Sequence, residues 1–165
     1  MSYPQYPSQQ QQSYQPATAG EPPLWAPYYG ATLPVAVQRF FKKYATFSGR
    51  ASRSEYWWWA LVAFAVGVVL NIITSVAGAA GSTVTADGTP VPGPGALVGG
   101  ILLIIWGLAV IVPSFALLVR RLHDANLSGW LALLILVPFL GALALVVMAI
   151  LPSNPAGQRF DRPVG

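Results

Sequence analysis

Charged side chains leave the chain for three long intervals, Tyr56 to Ala86, Gly88 to Val119 and Ala125 to Gln158, and inside each lies a block of 20 or more mostly apolar residues. A hydrocarbon core about 30 Å thick takes roughly 20 apolar helical residues to cross, because only a helix or a closed barrel satisfies every backbone polar group away from water. The pattern therefore predicts three transmembrane helices, at about 56–76, 97–119 and 130–151. Ser52, three residues ahead of Glu55, makes a capping-box pattern that starts the first helix near Ala51 to Arg53. Tyr56, Trp57, Trp58 and Trp59 then supply an interfacial aromatic belt. Ala63 and Gly67 form a small-xxx-small patch for helix contact, and Asn71 is placed to hydrogen-bond a neighbouring helix. Pro113 predicts a kink in the second span. Pro138 and Gly141 loosen the third, and Pro152 stops it.

Ahead of the first span, Val37, Phe40, Phe41, Tyr44 and Phe47 recur at helical spacing while Arg39, Lys42 and Lys43 fall on the other side. That predicts a short amphipathic helix over 35–48. Two settings for its aromatic stripe stay open: the headgroup region, where anionic lipids attract each Lys or Arg by about 1 kcal/mol, or the cytoplasmic ends of the spans. Residues 1–34 are rich in Gln, Pro, Tyr and Ser, with Glu21 as their one charge. Such a segment buries too little apolar surface to offset the entropy of ordering it, so a disordered tail is expected there. A basic start followed by an apolar run is missing, so it does not read as a signal peptide. The fold expected is thus all-α and integral to a membrane: three transmembrane helices, preceded by an amphipathic interfacial helix and a disordered N-terminal tail, with the membrane domain over 49–165.

With 55% hydrophobic and 8% charged residues in 165, composition agrees with one small membrane domain. The net charge of +4 is unevenly placed: Arg39, Lys42, Lys43, Arg50 and Arg53 precede the first span, Arg120 and Arg121 follow the second, and Arg159 and Arg162 follow the third. The loop between the first two spans has no basic residue. The positive-inside rule then puts the N-terminus and the second loop in the cytoplasm. Three spans would send the C-terminus outside, against which Arg159 and Arg162 argue. Clustering of this kind is a topology signal and not a nucleic-acid footprint. The absence of cysteine excludes disulfides and thiolate chemistry.

One membrane face collects two polar stretches distant in sequence: Arg50, Arg53 and Glu55 on the first, Arg120, Arg121, His123 and Asp124 on the second. Glu55 is explained locally, since a carboxylate in the first turn of a helix is favoured by the helix dipole. Asp124 is not, because a carboxylate at a helix C-terminus is disfavoured. Arg50 or Arg53 is its expected partner, the bland alternative being a turn cap or a solvated charge. His123 beside Asp124 and near Ser128 invites a Ser/His/Asp reading. No Gly-x-Ser-x-Gly elbow surrounds Ser128 or Ser114, and adjacent His and Asp side chains on one helix diverge. One histidine without cysteine cannot supply a zinc site. No catalytic residue, metal or cofactor is therefore expected. Coupled carriers place ionisable groups inside their spans, and these spans have none.

Phe47-Ser48-Gly49-Arg50, Arg53, Glu55-Tyr56-Trp57 and the Arg120-Arg121-Leu122-His123-Asp124 run followed by Ser128-Gly129-Trp130 resemble domain of unknown function 805, a family of small bacterial inner-membrane proteins. The resemblance covers Phe40 to Phe160. Near its end the family pattern reads Gly, then Asn-Arg, an aromatic and Gly, whereas this chain has Gly157-Gln158-Arg159-Phe160-Asp161. The resemblance implies location in the bacterial inner membrane and implies no activity. The expectation is a non-enzymatic structural or interaction component whose cytoplasmic charge cluster fixes the bundle and docks anionic lipid headgroups, a second copy or a membrane protein partner. The alternative is a small oligomeric channel or transporter subunit, its pore lined by Asn71, Ser75 and Ser114.

Overall fold

A computed structural model describes residues 21–161. Two antiparallel helices dominate it, α2 (Arg53–Ala79), which follows the short helix α1 (Leu33–Lys42), and α3 (Gly95–Asp124). Ser52 starts α2 as the sequence predicts: its hydroxyl accepts from the Glu55 amide while the Glu55 carboxylate accepts from the Ser52 amide. With 27 and 30 residues, α2 and α3 extend about 40 and 45 Å at 1.5 Å per residue, and both are long and apolar enough to cross a bilayer. At the end far from the charges they are joined through a two-stranded antiparallel hairpin, β1 (Thr83–Val84) and β2 (Pro90–Val91).

The helices approach closely near that hairpin, where a Cβ on Gly99 would run into Thr74. Of the small patch foreseen at Ala63 and Gly67, Ala63 packs against the cluster that includes Leu117 of α3, while nothing lies within 4 Å of a Cβ placed on Gly67. Asn71 likewise bonds no neighbouring helix. Its side-chain amide donates to the Gly67 carbonyl of its own helix at 2.9 Å.

α3 runs on through Pro113 and beyond the expected boundary at Val119. It ends at Asp124 in a Schellman motif: Asn126, with φ of 60°, sits in the left-handed region, its amide donates to His123 O, and the Leu127 amide donates to Leu122 O at 2.9 Å.

The third apolar block does not form the single helix expected over 130–151. A 3-10 helix, Gly129–Leu136, is followed by a turn and then by α4 (Leu140–Ile150), whose 11 residues reach only about 16 Å. At the turn Phe139 adopts φ 58° and ψ −63° while the Leu140 amide donates to Pro138 O, a γ-turn. Gly141 lets the two arms meet, because a Cβ there would strike the Leu134 carbonyl. Both ends of the block return to the C-terminal end of α3: Gly129 lies against Val119 and His123, while Ala149 and Leu151 offer their carbonyls to Arg121. Pro138, read as a loosening of one span, is the reversal point of a hairpin.

At this same end α1 lies across the bundle. It is shorter than the 35–48 expected, and its buried face is rotated from the one expected: Arg39 and Lys43 are buried together with Phe40, Lys42 alone of the three bases is exposed, and Phe41 and Tyr44 face outward. The buried stripe is Ala36, Arg39, Phe40 and Lys43, and Phe40 stacks on Trp59 with ring centroids 3.3 Å apart. Residues 1–20 lie outside the described residues. Residues 21–32, expected within the tail, run as an irregular strap against α1 and the start of α2, because Arg39, Glu55 and Ser52 supply hydrogen bonds to its backbone, and residues 33 and 34 already belong to α1. The apolar core is confined to this end as well, in one cluster around Leu118, Leu122 and Leu145 and another around Phe40, Trp59 and Leu117.

Candidate functional site

Two buried carboxylates organise the charged end. Glu55, held by the α2 capping box, accepts from Arg39 Nε at 2.7 Å, from the Tyr28 amide at 3.0 Å and from the Ser52 amide at 2.9 Å, with Lys43 Nζ at 3.5 Å. Arg39 distributes its remaining donors over Glu21 and the carbonyls of Pro22, Pro23 and Ala26. Removing an ion pair from water costs several kcal/mol per ion unless the remaining donors and acceptors are also bonded, and the strap supplies those bonds. That requirement is why bases on α1 turn inward. Burial lowers the Lys43 ammonium from 10.5 to about 8, with the Glu55 carboxylate opposing the shift.

Asp124 is the second centre and is fully buried. It takes a charge-assisted bond from Arg121 Nη1 at 2.6 Å, three residues earlier on α3, and further bonds from the Tyr29 hydroxyl at 2.9 Å and the Ser153 hydroxyl. Arg50 Nη1 stands at 3.7 Å, and Arg50 gives its closer contacts, 2.7 to 3.0 Å, to Asp161. Burial first, then the Asp124 charge, raises the Tyr29 hydroxyl to about 12. Through the remaining donors of Arg121, on Ala149 O and Leu151 O, this centre also ties the end of α4 to α3.

Of the residues singled out in the sequence, Arg50, Glu55, Arg121 and Asp124 are drawn into these two centres. Arg53 is exposed and makes no ion pair among the described residues. Arg120 is buried, donates from Nε to Ala116 O at 3.2 Å, and keeps Nη2 without a hydrogen bond. His123 faces neither Asp124 nor Ser128: its Nδ1 is 3.1 Å from Gly49 O and its ring stacks on Phe160 with centroids 4.0 Å apart. Ser128 caps the 3-10 helix by accepting from the Trp130 amide. Ser114 accepts from Trp59 Nε1 at 3.2 Å, whereas Asn71 and Ser75 lie exposed on α2, so the three residues proposed to line a pore do not share one path within a chain.

Sequence reasoning missed Tyr29, Arg39, Lys43, Ser153 and Asp161. Arg39 and Lys43 carried a signal, since with Ala36 and Phe40 they fall at i, i+3, i+4 and i+7, a stripe as regular as the aromatic one. Tyr29 and Ser153 carried none.

A family model described as "Protein of unknown function (DUF805)" matches residues 44–162. Among curated proteins the chain is 35% identical over 119 residues to "Inner membrane protein YhaI" of Escherichia coli K12, covering 72% of this chain and 86% of that one. It is 36% identical over 125 residues to "Inner membrane protein YhaH" of the same organism, covering 74% and 89%. No solved structure matches. The two centres divide at the edge of the match, because Tyr29, Arg39 and Lys43 lie ahead of it while Glu55, Arg121, Asp124 and Asp161 lie within it. The chain belongs to the family of domain of unknown function 805.

Proposed function

We propose that this chain is a multi-pass protein of the bacterial inner membrane, with α2 and α3 as its two spans and the segment from Gly129 to Ile150 as a re-entrant hairpin, and that it serves as a structural or interaction component without enzymatic activity of its own. The strap, α1, the turn after α3 and the segment up to Asp161 then share the cytoplasmic side. The observation that carries this reading is the return of both ends of the third apolar block to the C-terminal end of α3, Gly129 against Val119 and His123, and Ala149 and Leu151 onto Arg121. It also accounts for Arg159 and Arg162, which a third full span would have placed outside against the positive-inside rule. Glu55 and Asp124 are bonded on every side by the chain itself, which suits a lock on the bundle and leaves neither carboxylate open to a substrate.

Single cysteines test the arrangement in a chain that has none. A cysteine at Thr85 should react with a membrane-impermeant thiol reagent on intact cells, while cysteines at Asn126 and Gln158 should react only after the membrane is opened. Labelling at Gln158 from outside would restore three spans and remove the hairpin. A second reading, a subunit of a small oligomeric channel, draws on Asn71 and Ser75, polar groups exposed on the outer face of α2. Solute or ion flux through proteoliposomes of the purified protein would favour it.

A further inference from the structure

A cavity of about 710 Å³ lies between α2, α3 and the 3-10 helix, within the 300 to 1,000 Å³ range usual for ligand pockets. Its walls come from Tyr56, Trp59 and Ala63 on one side and from Val112, Phe115 and Leu136 on the others. Trp59 and Ser114, both in its wall, are bonded to each other, Nε1 to Oγ at 3.2 Å. A second cavity of about 430 Å³ shares Phe47, Phe115 and Leu133 with the first and carries the path on to His123, Ser128 and Phe160. Along α3 the joined groove runs from Ile111 to His123, about 18 Å at 1.5 Å per residue. Half of a hydrocarbon core is about 15 Å, so the groove has the length of one leaflet plus the start of the headgroup layer.

The two ends differ in chemistry. The deep end is apolar and opens sideways past Ile111, Ile135 and Leu136, which are exposed on a surface that hydrocarbon would contact. The shallow end lies at the charged end of the bundle, where Ser128 uses its oxygen only as an acceptor, and the Tyr56 hydroxyl, in the wall of the first cavity, makes no hydrogen bond among the described residues. Arg159 sits over the Phe160 ring that walls this mouth, its Cζ 4.6 Å from the ring centroid. Among the described residues the exposed charges at this end are Lys42, Arg53 and Arg159 against Glu21, an excess of positive charge, since the other carboxylates there are paired internally.

We propose that this groove holds one acyl chain of a glycerophospholipid, with the lipid phosphate at the mouth beside Arg159 and Ser128. The occupant follows from the match of each part. An apolar slot one leaflet deep fits a single chain, a polar neck of hydroxyls fits the ester region, and an exposed guanidinium fits a phosphate. Such a lipid would fill the space between the two spans and the hairpin, and so add to the hold that Arg121 has on the end of α4.

The test uses the full chain in bilayers containing phosphatidylglycerol with a diazirine on its acyl chain, followed by peptide mapping of the label. Label should concentrate on groove residues such as Val112, Phe115 and Leu133 and not on Ile104 and Leu108, which are 63% and 67% exposed but lie outside the groove. Ala63→Trp and Leu136→Trp fill the slot from opposite walls, and each folded variant should lose the concentrated label. Arg159→Glu should lower labelling by phosphatidylglycerol and leave labelling by a diazirine diacylglycerol, which lacks the phosphate, unchanged. Label spread along α2 and α3 in proportion to exposure would mean ordinary annular lipid and overturn the proposal. That comparison needs only the wild-type chain, so it stands even where a filling variant does not fold. Equal labelling by both lipids, indifferent to Arg159→Glu, would overturn the phosphate assignment.

Discussion

The Tyr44 hydroxyl donates to the carbonyl of Ala109 at 2.7 Å, and Ala109 is the residue whose carbonyl Pro113, four positions on, cannot bond. A proline inside a helix deletes one amide, and in hydrocarbon the freed carbonyl has no water to turn to. Here the residue just beyond α1 supplies the missing donor, which explains why α3 continues through Pro113 and why Tyr44 points outward along the bundle.

The pairing predicts a particular double-mutant cycle. Tyr44→Phe should destabilise the protein by about 1–3 kcal/mol, the cost of leaving the Ala109 carbonyl without a donor on a surface that hydrocarbon would contact. In the background of Pro113→Ala, which restores the amide, the same change should cost little. Thermal unfolding in detergent reads both, and an equal loss from Tyr44→Phe in the two backgrounds would separate Tyr44 from the proline.

Asp124→Asn should be among the most damaging single changes at the charged end, at about 3–5 kcal/mol, because Arg121 would keep its burial and lose its counter-charge. Arg121→Gln should cost at least as much, since it also frees the carbonyls of Ala149 and Leu151. The double variant should fall well short of the sum of the two. Arg50→Gln should couple to Asp161 more strongly than to Asp124, given contacts of 2.7 Å and 3.7 Å. A cycle in which Arg50 couples more strongly to Asp124 than Arg121 does would reverse this assignment.

Among the bases around α1, position and not charge should decide the outcome. Arg39→Gln strands Glu55 and several strap carbonyls and should lower the melting temperature markedly. Lys42→Gln, on an exposed side chain, should stay within about 0.5 kcal/mol. Equal effects at the two positions, read by thermal unfolding, would mean that α1 lies on the membrane with its bases outward.

Stability should pass through a maximum in alkaline solution. Folded Lys43 releases its proton near pH 8 and unfolded lysine near 10.5, so between those values the unfolded state binds more protons and stability rises with pH. Tyr29 acts in the opposite sense: the folded state holds its proton to about 12 against an ordinary 10.0, so above pH 10 stability falls. Melting temperatures from pH 7 to 12 should lose the rising arm in Lys43→Met and the falling arm in Tyr29→Phe. Persistence of the rise in Lys43→Met would assign it to another group.

Much of this architecture was legible along the chain, and for a physical reason. Membrane crossing imposes a requirement on consecutive residues, so α2 and α3 announce themselves by apolar length, and the start of α2 by the local pair Ser52 and Glu55. The family motifs were legible in the same way, as short runs at the ends of spans. The reading of orientation is local in the same sense, since it counts bases near each end of an apolar block.

What the chain could not announce was anything decided by a distant partner. Apolar length alone does not separate a spanning helix from a hairpin of equal content; that is settled by Arg121 reaching Ala149 and Leu151, 28 and 30 residues away. Amphipathic spacing does not say which face turns inward, and on α1 the answer came from Glu55, a buried charge that required cations more than the aromatic face required cover. The strap at 21–32 reads as disordered by composition because composition measures the apolar area a segment can bury by itself. Its order comes instead from hydrogen bonds to Arg39, Ser52 and Glu55, groups whose need for partners exists only once α1 and α2 have met.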